Sequence, residues 1–435
     1  MQRSLPAARR LLRAPLLLAL FAAVLLAGCT FHPGGAQIAY LNGDQLWTVN
    51  PDGSLPRELA PQDVRGFAWS PDHHELVFRY GAATAENLPG ATWAPSEGVS
   101  ELATTSISGG QPLQITPTAP HLARSDAWWD PQGNRLLYRE YVPGAGLISA
   151  IYIESQNDQP VGIARKVAID AATLPTLSPD GSRVAVIDPQ GGVHAGTASQ
   201  PGDTLAQNAL IRMSTDGLPA HILWRPGHDA LVYFTAGDNG ATTLNLLDLA
   251  THQSQPITYM SGLRDAAFSP DGSLLLTAGP TGYLIWPIDG PAPRAVIPES
   301  DPLAQAYWSP DNRWLLVEDH TSVRLIRTSD WSVQGTLTYA APLPQPQVND
   351  TTLWRPAASS PWSADSSAFT FASGAAAWQG QRLLAPPSGA VAGLYVERVD
   401  QNTTQGAPTL IASGNISAPG WSAPDPSTTL LMAVA

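Results

Sequence analysis

Ala266-Ala267-Phe268-Ser269-Pro270-Asp271-Gly272-Ser273-Leu274-Leu275-Leu276-Thr277 reads as strand, tight turn, strand. Pro270 fixes φ, Asp271 can bond the backbone two residues on, and Gly272 accepts positive φ. Outward from the turn, Asp265–Phe268 is the first strand and Leu274 to Ala278 the second. Tyr283 to Trp286 is the third and Arg294 to Ile297 the outermost. Four antiparallel strands of this kind make one propeller blade. The same pattern returns as FAWSPDHHELVF from Phe67, AWWDPQGNRLLY from Ala127, PTLSPDGSRVAV from Pro175 and ILWRPGHDALVY from Ile222. It recurs as AYWSPDNRWLLV from Ala306, SPWSADSSAFTF from Ser360 and PGWSAPDPSTTLLM from Pro419. The anchors Trp69, Trp129, Leu177, Trp224, Phe268, Trp308, Trp362 and Trp421 are spaced by 60, 48, 47, 44, 40, 54 and 59 residues. Repeats of that length built from short strands predict an all-β propeller. The expected ring has eight four-stranded blades, with seven as the alternative. The six anchor tryptophans are expected in the core between blades.

The repeat resembles the bacterial WD40-like, TolB-type propeller repeat, whose mark is an aromatic-Ser-Pro-Asp-Gly turn followed by an apolar strand. Ser178-Pro179-Asp180-Gly181 and Ser269-Pro270-Asp271-Gly272 match it fully. His73 and Asn312 stand where Gly is usual, and the copies at Trp129, Trp224, Trp362 and Trp421 depart further. Leu246 to Thr251 is similar to the third strand of an ordinary WD repeat. The resemblance implies fold over residues 37–434 and leaves function open, since such propellers serve many roles.

Ile38–Leu41, Gln45–Val49 and Arg57–Ala60 read as the three outer strands of a blade without an inner one. The copy around Trp421 can supply it, so the two termini are expected to share a blade. Thr429 to Val434 is a rival for the second position in that blade.

The start of the chain carries a different signal. Arg3, Arg9, Arg10 and Arg13 precede an apolar stretch from Ala14 to Gly28. That length is short of the roughly 20 residues of a membrane-spanning helix and suits a signal-peptide core. It ends in Leu26-Ala27-Gly28-Cys29, which resembles the bacterial lipobox. Residues 1–28 are therefore expected to be a signal peptide, Cys29 the lipidated residue, 29–36 a short tether and 37–435 a single propeller. Cys29 is the only cysteine and has no disulfide partner within the chain. The expected location is the extracytoplasmic side of a cell membrane, as a lipid-anchored monomer.

Of 23 basic residues the leader holds 4, so the mature chain sets 19 against 36 acidic ones, a net charge of −17. Such a surface repels nucleic-acid phosphates and anionic lipid. Membrane attachment then falls to the anchor, and no nucleic-acid partner is expected.

In an up-and-down blade, links between blades and links from second to third strand emerge at one end. The tight Ser-Pro-Asp-Gly turns emerge at the other. Arg79–Gly98 with Trp93, Ala340–Ala358 with Trp354, and Ser373–Ala390 with Trp378 and Arg382 all belong to the first end. Asp188–Gln207 fits either. Long loops on one end of a rigid scaffold point to a binding surface. Arg65, Arg124, Asp126, Arg264 and Asp265 sit just before inner strands and are expected around the channel mouth at that end. They suit either pairing of each Arg with an Asp of its own or the next blade, or recognition of a carboxylate or sugar by a planar guanidinium.

Enzyme signatures are missing from the sequence. There is no Gly-x-Ser-x-Gly elbow and no Gly-rich phosphate loop leading from strand to helix. The nine histidines are scattered. No catalytic residue, metal or cofactor is expected. The favoured function is a non-catalytic scaffold for a protein or cell-envelope ligand. The alternative is a carbohydrate-active or other ligand-processing propeller with its site in the channel.

Overall fold

Turn chemistry repeats down the chain and sets the fold. In the sheet around Phe268, Ser269 Oγ donates to Asp271 Oδ1 (2.6 Å) and accepts from Leu274 N (3.0 Å), while Asp271 Oδ1 accepts from Ser273 N (3.0 Å). The same three bonds recur at Ser70/Asp72, Ser178/Asp180, Ser309/Asp311 and Ser363/Asp365. The residue after each Asp is left-handed: His73 (φ 65°), Gly181 (68°), Gly272 (69°), Asn312 (61°) and Ser366 (59°). Asn312 and Ser366 replace Gly there and put their side chains to use. Asn312 Oδ1 accepts from Asp271 N of the preceding sheet (3.4 Å), and Ser366 Oγ from Asp311 N (3.2 Å).

The computed structural model describes residues 36–61, 63–81, 101–116, 123–124, 127–129, 133, 135–141, 148–156, 159–160, 165–170, 176–197, 202–210, 222–238, 241–290, 292–299, 301, 304–319, 321–338, 360–373, 378–379, 382–383, 393–399, 408–414 and 416–422. The fold is an all-β propeller of antiparallel sheets. The Phe268 sheet runs Asp265–Phe268, Leu274–Gly279, Gly282–Pro287, Ala295–Pro298, in chain order from one edge to the other. The sheets that begin at Val64–Trp69, Thr176–Leu177, Leu223–Trp224 and Gln305–Trp308 repeat this order. In the second repeat Trp128–Trp129 and Ala123–Arg124 both pair with Arg135–Tyr141, so its inner strand is split. In the seventh, Trp362 meets Phe369 through a single bridge, beside a sheet of Ala368–Ser373, Gly393–Arg398 and Thr409–Ser413.

The closing sheet settles which strand holds its second position. Its order is Arg57–Ala60, Gln45–Val49, Ile38–Asn42, Ile416–Trp421. Ile38 pairs with Trp421 and Asn42 with Ile416. Among the described residues the C-terminal repeat supplies the inner strand, and Ile38–Asn42 lies beside it. Residues 429–434 lie outside the described residues.

Packing joins each sheet to the next. One core cluster combines Val232, Phe234 and Leu244 with Ala266, Phe268 and Leu275. Another combines Tyr307, Trp314 and Leu316 with Trp362, Phe369 and Phe371. The closing sheet packs forward through Leu41 and Leu46 on Phe67 and Trp69, and backward through Ile38 and Trp421 on Ala368 and Leu394. The anchor tryptophans are buried, Trp362 completely. Three of them also staple neighbouring sheets. The indole N–H of Trp69, Trp224 and Trp362 donates to the carbonyl of Gly420 (3.2 Å), Thr176 (3.1 Å) and Tyr307 (3.1 Å). Each acceptor lies one residue before the anchor of the preceding sheet. Among the described residues the indole N–H groups of Trp129, Trp308 and Trp421 find no partner.

Candidate functional site at the start of the inner strands

Inner strands run toward the tight turns, so their first residues mark the opposite end of every sheet. Segments 82–100, 339–359 and 374–392 connect described strands at that end. The register fixes this: Tyr80 pairs with Glu101, and Ser373 with Gly393. Trp93 and Trp354 lie outside the described residues. Trp378 and Arg382 belong to a short hairpin in which Trp378 pairs with Leu383 and Gln379 with Arg382.

The first sheet places two arginines at this end. Arg65 lies in a bulge between the pairs Val64–Tyr80 and Gly66–Arg79. Its guanidinium is 3.8 Å from the Asp63 carboxylate, and Arg79 is only 5% exposed. Burial holds the Arg65 pKa below the ordinary value; Arg79 adds to that effect, while Asp63 and Asp44 oppose it. Asp44 reaches across from the closing sheet, and its backbone carbonyl accepts from Val64 N (2.9 Å). Opposite Tyr80, the buried Glu101 accepts from Thr116 Oγ1 (2.8 Å), which accepts from Leu102 N (2.9 Å).

A second group of charges lies at the same end between the Phe268 and Trp308 sheets. Arg264 donates to the carbonyls of Gly279 (2.8 Å) and Asp301 (3.3 Å). It therefore reaches the link to the next sheet through main-chain oxygen. Arg324 pairs with the buried Glu299, donates to Pro298 O (3.1 Å) and has Asp319 at 4.0 Å. Glu299 also accepts from Asp301 N (2.7 Å). Asp265 opens its strand opposite Ala278, and Arg124 pairs in the backbone with Glu140. Asp126 lies outside the described residues. In Asp188–Gln207, Asp188 turns the chain into Val193–Gly196 at this same end. Its carboxylate meets His194 Nε2 (2.9 Å).

Sequence reasoning missed Arg79, Glu101, Glu299, Asp301 and Arg324. Each interrupts or borders an apolar strand, and a charged residue in such a run is the one signal available for a buried polar contact. Among the described residues no group of three or more His, Cys, Asp or Glu side chains converges as a metal site would. The tight-turn end has one polar depression of about 370 Å³ lined by Arg225, His228, Asp229, Asp248 and Asp289 among others. What the inner-strand-start end offers chemically is a set of partly buried guanidiniums with planar donor geometry, suited to carboxylate or hydroxyl acceptors.

No family model matches the chain, and no curated protein matches it. Among solved structures it is similar in fold to a crystal structure described as the eukaryotic initiation factor. That match has 13% identity and a TM-score of 0.53, over 90% of this chain and 98% of that one. The C-terminal WD40 domain of Sif2 matches at 13% identity and TM-score 0.49, over 77% of this chain and 81% of that one. TolB from Acinetobacter baumannii matches at 13% identity and TM-score 0.39, over 94% and 73%. The likeness concerns fold alone.

Proposed function

We propose that the chain is a lipid-anchored, extracytoplasmic propeller of eight blades. In this reading it acts as a non-catalytic scaffold that holds a protein or cell-envelope ligand at the inner-strand-start end. One observation carries it: the three longest interruptions of the repeat join their sheets at the same end. In five repeats the other end carries a short Ser-x-Asp turn that bonds within itself. Loops mounted on a rigid ring are where binding residues concentrate. Trp93 and Trp378 are the proposed hot spots, because tryptophan buries much area at low entropic cost. Arg65 beside Arg79 favours a second reading, a channel-mouth site for a carboxylate or sugar ligand.

Crosslinking and pull-down from native membranes, with parent and Trp93→Ala/Trp378→Ala chains, tests the scaffold. The double variant should lose its crosslinked partner while melting like the parent; unchanged capture rejects this surface. Cys29→Ala tests the anchor. It should leave the membrane fraction, and retention through a high-salt wash rejects lipid attachment.

A further inference from the structure

Ile38 begins at the turn end of the closing sheet, opposite Trp421, the last residue of the inner strand. Gln37 is pinned there. Its N–H donates to Ser422 Oγ (2.9 Å), and its carbonyl accepts from Ser422 N (2.7 Å). Ser422 occupies the place that Ser269 and its equivalents hold at the head of the tight turns. The chain therefore enters the ring at the turn end, beside the anchor and not at the channel mouth with the long segments. Seven residues, Thr30 to Ala36, separate Cys29 from this point. Extended, they reach at most about 25 Å. A six-residue strand such as Leu274–Gly279 is already about 20 Å long. A tether leaving the turn end would use nearly its whole reach before passing the opposite end.

We infer that the ring stands on the membrane with its Ser-Pro-Asp-Gly turn end toward the bilayer and its inner-strand-start end facing away. The inference rests on the proposed lipidation of Cys29. It sharpens the partner: what binds the long-segment end comes from the aqueous side and not from the lipid surface. The exposed turn carboxylates of Asp72, Asp180, Asp271, Asp311 and Asp365 face the headgroups. The turn end is then held by the tether rather than by adhesion, since like charges repel an anionic surface.

The test uses the full lipidated chain in phosphatidylcholine vesicles. Lipidation occupies the one native thiol, so Ser273→Cys and Thr281→Cys each add a single labelling site. These exposed residues flank opposite ends of the same strand, Ser273 at the turn end and Thr281 at the other. A donor dye on each is read against an acceptor in the lipid headgroups. Transfer should be markedly stronger from position 273 than from 281. Equal transfer, or stronger transfer from 281, overturns the orientation. Mass analysis of Cys29 and vesicle flotation are read first. A chain that carries no lipid and does not float defeats the anchor, and the orientation with it. A lipidated, floating chain with the wrong transfer order defeats the orientation alone.

Discussion

The two ends of the sheets satisfy their charges in different ways. At the turn end the Asp of five Ser-x-Asp turns bonds within two residues of itself, and the longer ion pair from Arg183 to Asp229 (2.6 Å) is added to that local pattern. At the other end Arg264 reaches 37 residues along the chain to Asp301, and Arg324 reaches 25 to Glu299. The Ser-x-Asp turn itself is local and periodic, so the repeat encodes it. The other end is built from residues that differ between sheets and meet only when neighbours pack. A ring can therefore vary one end without disturbing the module that makes its blades.

Removing the closing strand should produce the largest effect. Truncation of residues 418–435 takes away Trp421, the Gly420 carbonyl that holds Trp69, and the Ser422 bonds to Gln37. A thermal melt should show loss of the cooperative transition; a melt like the parent's would falsify closure by this strand.

The staples give a graded comparison. Trp362→Ala should cost about 3–5 kcal/mol, the usual range for emptying a buried aromatic site. Trp362→Phe removes the indole bond to the Tyr307 carbonyl and should cost about 1–3 kcal/mol more than Trp308→Phe, whose indole N–H has no partner among the described residues. Equal losses in urea unfolding would show that packing alone matters at both anchors.

At the opposite end, Arg264→Met removes two bonds to main-chain carbonyls. It should lower unfolding stability by about 1–3 kcal/mol with partner capture intact. Arg65→Met should weaken capture more than it weakens the fold. If both substitutions change only stability, the inner-strand-start end is a structural joint.

Acid should act on the turn end. Burial raises the pKa of Asp180, Asp271 and Asp365, but bonds from the neighbouring serines and backbone outweigh it, and the net shift is downward. Folded values below unfolded ones stabilise the ring above the ordinary carboxylate range. That stability is lost as pH falls through the depressed values. Denaturation followed from neutral to strongly acid pH should show this decline, and Asp271→Asn should flatten it slightly. A smaller effect is expected from Asn312→Gly. It relieves a left-handed non-glycine residue and loses the long bond from Asp271 N, so its melting point should stay close to the parent's.

Turn and strand chemistry was legible in the sequence because it is local. Asp265–Phe268 is found as read, and the three N-terminal strands agree to within one residue. The positive φ of His73 and Asn312 follows from their place in the repeat. The occupant of the closing sheet's second position was not legible, because two segments had equal claims by pattern. Only pairing across the whole chain separates them. The partners of Arg264 were hidden for a related reason: spacing puts a residue at an end of a sheet, but not against its neighbour. Trp93, Trp354 and Asp126 lie outside the described residues.

The bond from Trp69 to Gly420 spans 351 residues. Blades in the middle of the chain can form as they emerge, from contacts close in sequence. Strands Ile38–Asn42, Gln45–Val49 and Arg57–Ala60 cannot, because their inner neighbour, Ile416–Trp421, is made far later. Contacts so distant in sequence slow folding, and until they form the strand Ile38–Asn42 presents an unpaired edge to whatever is nearby. The chain thus has a vulnerable interval between emergence of Ile38–Asn42 and arrival of Ile416–Trp421, when capture by a chaperone or pairing with a second copy competes with closure.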